Sequence, residues 1–229
     1  MPAENVGALS PEPSARHDMH YYLTEGLEGV EHQQYRGVRS FIRAIESQAK
    51  ELRSGNAGQY AIFSPVTQDQ LAAIERIRDT HHKGLRFNYF NSVETLIVKI
   101  MAAPVQELAS KGFGSRLDVK IARMEQLDNI GWMDATTYRA NGSQKEADCS
   151  WKPGYFRPLK TDWPTVVIEC GVSKSRDRLE VDAHWWLENT DGQVKMVLVI
   201  SFSKTKREIH FQQWEMATTL NPQIGRAHV

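Results

Sequence analysis

Cysteine is scarce in this chain: Cys149 and Cys170 are the only two in 229 residues. Two thiols give at most one bridge, so no disulfide framework holds the fold. They read as free thiols of a reducing, intracellular compartment, cytoplasmic or nuclear. Long apolar runs are missing as well. No stretch reaches the roughly 20 residues that span a bilayer, and the N-terminus is rich in Pro, Glu and Ser where a secretory signal would be apolar. A membrane partner is therefore not expected. Charge of one sign is also lacking: 28 Lys and Arg face 28 Asp and Glu, a formal net charge of +0. That balance argues against a protein held on nucleic acid by bulk charge, although a local basic groove depends on arrangement and not on the sum. What remains is globular composition, 41% apolar and 24% charged, in a chain long enough for one good core with a small appendage.

Residues 1–30 lack apolar periodicity and carry Pro2, Pro11 and Pro13, which predicts a disordered or loosely docked leader. Residues 31–84 read as a helical extension. Tyr35, Val38, Phe41, Ile42, Ile45, Ala49 and Leu52 recur at helical spacing over 31–53, with Arg36, Arg39 and Arg43 on the other face. Thr67 is placed to cap a second helix through Leu71, Ile74 and Ile77, and a short strand candidate, Tyr60-Ala61-Ile62-Phe63, lies between the two. The leader and the 31–53 helix are a candidate dimerisation arm, giving a homodimer.

Residues 85–217 read as the α/β core. Strands are expected over 85–89 and 95–101, and a helix from Pro104 to about Met124. Further strands are expected over 133–139, 145–151 and 165–171, the first two flanking the hairpin signal Asn141-Gly142-Ser143. A helix over 176–187 and a last hairpin over 195–203 and 208–215 follow. Residues 218–229 form a tail. Its last seven, 223–229, read as a translated sequencing adapter joined to the reading frame, so 223–229 are expected to be artefactual. The order predicts a mixed β-sheet flanked by helices.

Two carboxylates stand out. Glu169 interrupts the β-branched run Thr165-Val166-Val167-Ile168, and Asp148 lies in Lys145-Glu146-Ala147-Asp148-Cys149-Ser150-Trp151. A charge inside a buried strand is costly unless a cation or hydrogen bonds compensate it. Two such acids side by side on neighbouring strands suit a hard divalent cation, Mg²⁺ or Mn²⁺, and hence metal-dependent phosphodiester hydrolysis. The alternative from the residues alone is an ion pair, with Asp148 at a strand end and Glu169 on Arg178.

With these motifs the chain resembles the PD-(D/E)XK nuclease superfamily over roughly residues 85–217. The resemblance is closest to a branch carrying Lys-Glu-Ala-Asp, then Trp-Pro-Thr with a Val/Ile run and Glu, then Asp-Ala-x-Trp-Trp-Leu; here these are Lys145 to Asp148, Trp163 to Glu169 and Asp182 to Leu187. It implies a restriction-endonuclease-like fold with an N-terminal helical extension. It also implies a nuclease acting on DNA or RNA, with Asp148 and Glu169 as metal ligands. The Cys170 backbone carbonyl and Glu107 would assist them. Ala147 stands where the family often has proline, and Gly171 stands where the motif lysine belongs. Lys174 or Arg178, at the start of the following helix, is the expected replacement cation, and Lys145 the weaker one, since on a continuous strand it would point to the opposite face from Asp148. The alternative function is a catalytically inactive domain of this type that binds nucleic acid or protein. Cys149 and Cys170 are expected to be buried on the sheet face opposite the acids. His17, His20, His81 and His82 are expected to be solvated or structural.

Overall fold

The computed structural model describes residues 16–101, 104–133, 136–203, 206–216 and 224–228, with the backbone alone for 104–111 and 224–228. The chain opens with a short helix α1 (Met19–Thr24), started by the Asp18 carboxylate, which accepts from the Tyr21 amide. Tyr22 and Leu27 are buried, so residues 16–30 form a packed strap where a loose leader was expected; 1–15 lie outside the described residues. Strand β1 (His32–Gln34) precedes α2 (Val38–Ser54), so the helix begins later than its periodicity suggested. It ends at Gly55. Strand β2 (Tyr60–Ser64) leads to α3 (Gln68–His81), which opens with a reciprocal cap between Thr67 and Gln70. An antiparallel pair follows, β3 (Leu85–Phe90) and β4 (Thr95–Ile100). Then come α4 (Pro104–Arg123), β5 (Ile130–Met133), β6 (Thr137–Ala140), β7 (Ser143–Glu146), β8 (Cys149–Pro153) and β9 (Val166–Val172). Helix α5 (Arg176–Glu188), β10 (Met196–Ser203), β11 (Glu208–Met216) and β12 (Ile224–His228) complete it. No helix among the described residues is long and apolar enough to cross a membrane.

The strands form two mixed sheets, ordered β1-β2-β4-β3-β7-β6 and β12-β11-β10-β9-β8-β5. The first crosses the 84/85 boundary read from composition, since β2 pairs with β4. The sequence reading of 133–139 and 145–151 as single strands is corrected. The chain leaves the second sheet after β5, makes the β6–β7 hairpin on the edge of the first sheet, and returns through Ala147-Asp148 into β8. A period of two marks which side chains share a face, but it cannot mark a change of sheet. The tail reaches β11 as β12, running antiparallel to it.

Alternation assigns the faces. In the first sheet Ala61, Phe63, Leu96, Val98 and Ile100 pack with Phe41, Ile45, Leu71 and Ile74 of α2 and α3. Tyr60, Ile62 and Ile97 point the other way, into a core with Leu179, Trp185 and Trp186 of α5 and Val167, Val197 and Val199 of the second sheet. Cys149, Cys170, Ile168 and Ile200 pack with Ile121 of α4 on the far face of the second sheet. Helix α5 is thus held between the sheets, and both cysteines, neither in a disulfide, are buried on the α4 side.

Candidate functional site

Asp148 sits where the chain passes between sheets, and Glu169 lies in the middle of β9. Their carboxylates converge, and what they converge on is Lys99. Its ammonium donates to Asp148 Oδ2 at 2.7 Å and to Glu169 Oε2 at 2.5 Å. Lys99 belongs to β4, on the inner face beside Ile97. The Cys170 amide donates to Asp148 Oδ2 at 2.7 Å, and the Trp186 indole to Glu169 Oε1 at 2.7 Å. Residue exposures are 4% for Lys99, 2% for Asp148 and 0% for Glu169.

The network continues through Lys145. Its ammonium lies 2.7 Å from Asp182 and 3.8 Å from Glu169. The expectation that Lys145 faces away from Asp148 fails because β7 ends at Glu146 and the chain turns before Asp148. Asp182 of α5 also accepts from the Tyr60 hydroxyl at 3.0 Å and stands 3.5 Å from Arg178 Nε. Three carboxylates (Asp148, Glu169, Asp182) therefore meet three cations (Lys99, Lys145, Arg178), with Arg86 on the margin 3.7 Å from Asp148 Oδ1.

Electrostatics follow from this crowding. Burial alone pulls the Lys99 ammonium down, but the Asp148 and Glu169 carboxylates more than offset it and hold it well above the usual lysine range. Burial pushes the Glu169 carboxyl up, offset only in part by Lys99 and Lys145. Burial acts on Asp182 in the same direction, yet Lys145 and Arg178 bring it below its ordinary value. Burial lifts the Cys170 thiol well above its usual range, which leaves it a neutral core group.

The other residues expected at the site lie elsewhere or act otherwise. Lys174 donates to the Gly55 carbonyl at 3.1 Å, away from the acids. Arg178 reaches the Tyr22 and Glu25 carbonyls of the strap at 2.7 and 3.2 Å, so it meets the cluster only through Asp182. Glu107 lies in the first turns of α4, and its side chain is outside the described residues. Gly171, where the resemblance led us to expect a lysine, is crowded by two side chains. A Cβ there would stand 2.6 Å from Gln59 Nε2 and 2.9 Å from Leu179 Cδ1. Gln59 is fixed in that place by the Val172 amide, which donates to its Oε1 at 2.9 Å.

Sequence reasoning missed Lys99. The signal was present: one charge inside Leu96-Ile97-Val98-Lys99-Ile100, the same pattern that singled out Glu169.

The fit of a divalent cation can be tested on this geometry. The position equidistant from both acids is filled by an ammonium, and the cluster is already charge-balanced. The adjoining cavity, bounded by Tyr60, Arg86, Lys99, Lys145 and Asp182, offers ≈ 10 Å³, about one water molecule. Mg²⁺ keeps several waters in an octahedral shell. The residues as arranged do not fit it. Comparison of the chain with protein-family models and with curated proteins finds no match.

Proposed function

We propose that this chain is a PD-(D/E)XK-like domain whose carboxylate pair serves as a lysine-bridged structural centre, and that it acts as a protein-binding module. The order α4-β5-β8-β9-α5-β10, with β10 parallel to β9, supports the restriction-endonuclease-like reading of the second sheet. The single observation that carries the non-catalytic reading is the Lys99 bridge, closed to solvent, where a nuclease would need an open, hydrated cation site. A protein partner is favoured over nucleic acid by the loop between β8 and β9. Tyr155 and Phe156 are 81% and 80% exposed there, an apolar pair directed at solvent. Two of the neighbouring cations turn inward, Arg157 donating to the Trp163 carbonyl at 3.0 Å and Lys152 to the Leu159 carbonyl, while Lys160 is exposed. A groove for phosphates would present those charges outward.

The nuclease reading has one observation in its favour. Asp148 Oδ1 is buried and accepts no hydrogen bond among the described residues, as a carboxylate oxygen kept for a cation would be. One experiment separates the two. Purified protein is incubated with plasmid and with RNA in Mg²⁺ or Mn²⁺, beside the Asp148→Asn variant. No cleavage above the variant is expected. Cleavage that the variant loses would overturn the proposal and restore the metal-dependent phosphodiesterase.

A further inference from the structure

The strap and α5 meet at a second group of titratable side chains, far in character from the lysine-bridged centre. His184 and Glu188 stand one turn apart on the same face of α5, and His17 approaches from the strap, 171 positions away from Glu188 in sequence. His17 Nδ1 lies 2.7 Å and His184 Nδ1 3.1 Å from the same oxygen, Glu188 Oε1. One ligand atom from each of the three lies within 4.8 Å of the others. The other carboxylate oxygen, Oε2, is held by the Tyr22 hydroxyl at 2.5 Å and the His17 amide at 2.8 Å. The carboxylate is therefore oriented by groups that leave Oε1 facing both imidazoles. The Tyr21 ring stacks on His17 at 3.8 Å, and the Trp214 ring meets His184 edge-on at 5.2 Å. The side chain of Glu188 is 6% exposed while that of His17 is 36% exposed, so the group is walled on the protein side and open on one other.

We propose that His17, His184 and Glu188 form a binding site for a divalent transition-metal ion of the zinc class, which clasps the N-terminal strap onto α5. Two imidazoles and one carboxylate are the donor set of three-ligand zinc sites, with a fourth position left to water. Nitrogen donors select such ions over Mg²⁺ or Ca²⁺, which prefer oxygen. The present spacing needs only small side-chain rotations to place all three donors about 2.0–2.2 Å from one ion. Tyr22 supplies the outer contact that such ligands normally have. The two histidine-bearing elements are remote in sequence, so the ion would act as a staple whose binding energy adds to folding.

The test uses the full chain without a histidine tag, stripped with chelator and titrated with Co²⁺. Visible absorption of a low-coordinate cobalt site, saturating at one equivalent and erased by Zn²⁺, is expected. His17→Ala and His184→Ala each abolish it, and His20→Ala keeps it. Zn²⁺ raises the melting temperature of the parent chain and leaves that of His17→Ala unchanged. His17 sits at a half-exposed end, so His17→Ala tests the site even where His184→Ala fails to fold. Absence of saturable absorption, or its survival in His17→Ala, would overturn the site.

Discussion

Lys99 has the largest consequence of any single side chain here, because three demands fall on it at once. It neutralises Asp148, neutralises Glu169, and links β4 of the first sheet to β9 of the second and to the crossing segment before β8. Replacing it by Met leaves two facing carboxylates buried without their counter-ion. Removing one partner of a buried ion pair costs about 3–5 kcal/mol, so Lys99→Met should lower the urea midpoint by that equivalent. The double change Lys99→Met with Glu169→Gln should cost less than the sum of the singles. The same residue sets an alkaline limit. Its folded value is raised, so its contribution is complete below the unfolded lysine value of about 10.4 and is lost as pH rises through the higher folded value. The stability difference between parent and Lys99→Met should therefore shrink as pH rises above about 10.4; a difference that persists unchanged there would show that Lys99 is not the charged bridge. Asp148 and Glu169 were legible as a pair because a lone charge in an apolar strand has to be compensated. The identity of the compensating group was not, because it comes from a strand some 49 and 70 positions earlier.

At the scale of the element, β9 and the residue before β2 explain why position 171 is a glycine. Gly171 alternates with Glu169 and so shares its face, where an added side chain would have to displace the ends of the Gln59 and Leu179 side chains. Gly171→Ala should cost about 1–3 kcal/mol by overpacking, read from chemical denaturation. An unchanged midpoint would mean that Gln59 yields easily, and that glycine is there for another reason. The helices were readable at their cores and less so at their starts. Periodicity found α2, yet its apolar residues continue back to Tyr35, which belongs to the approach from β1. The capping pair Thr67 and Gln70 placed α3 well, because a cap is chemistry local to four residues. The β5-to-β8 region misled, since local alternation is the same whichever sheet a strand joins. The strap shows the complementary error. Its poor periodicity hid a close approach in which Gly26, at φ +68, lets the chain pass within 2.5 Å of Arg178 N as measured from an added Cβ.

On the scale of the whole molecule, the ion cluster lies between two sheets that share α5 as a common layer. Neither sheet can leave without stranding buried charge, so the two should unfold together. Far-ultraviolet circular dichroism and tryptophan fluorescence should give coincident transitions, Trp185 and Trp186 lying in the shared core. Two separated transitions would mark the sheets as independent units. The sequence by itself determined the α/β class, most of the helices and strands, the burial of both cysteines and the two acids that demand compensation. These follow from periodicity and from the cost of desolvating a charge, which are properties of short segments. Only tertiary structure decided that the chain divides its strands between two sheets, that Lys99 stands between the acids, and that Gln59 crowds Gly171. Each of these depends on which distant residues meet, and the energy of burying a charge is set by the partner that arrives.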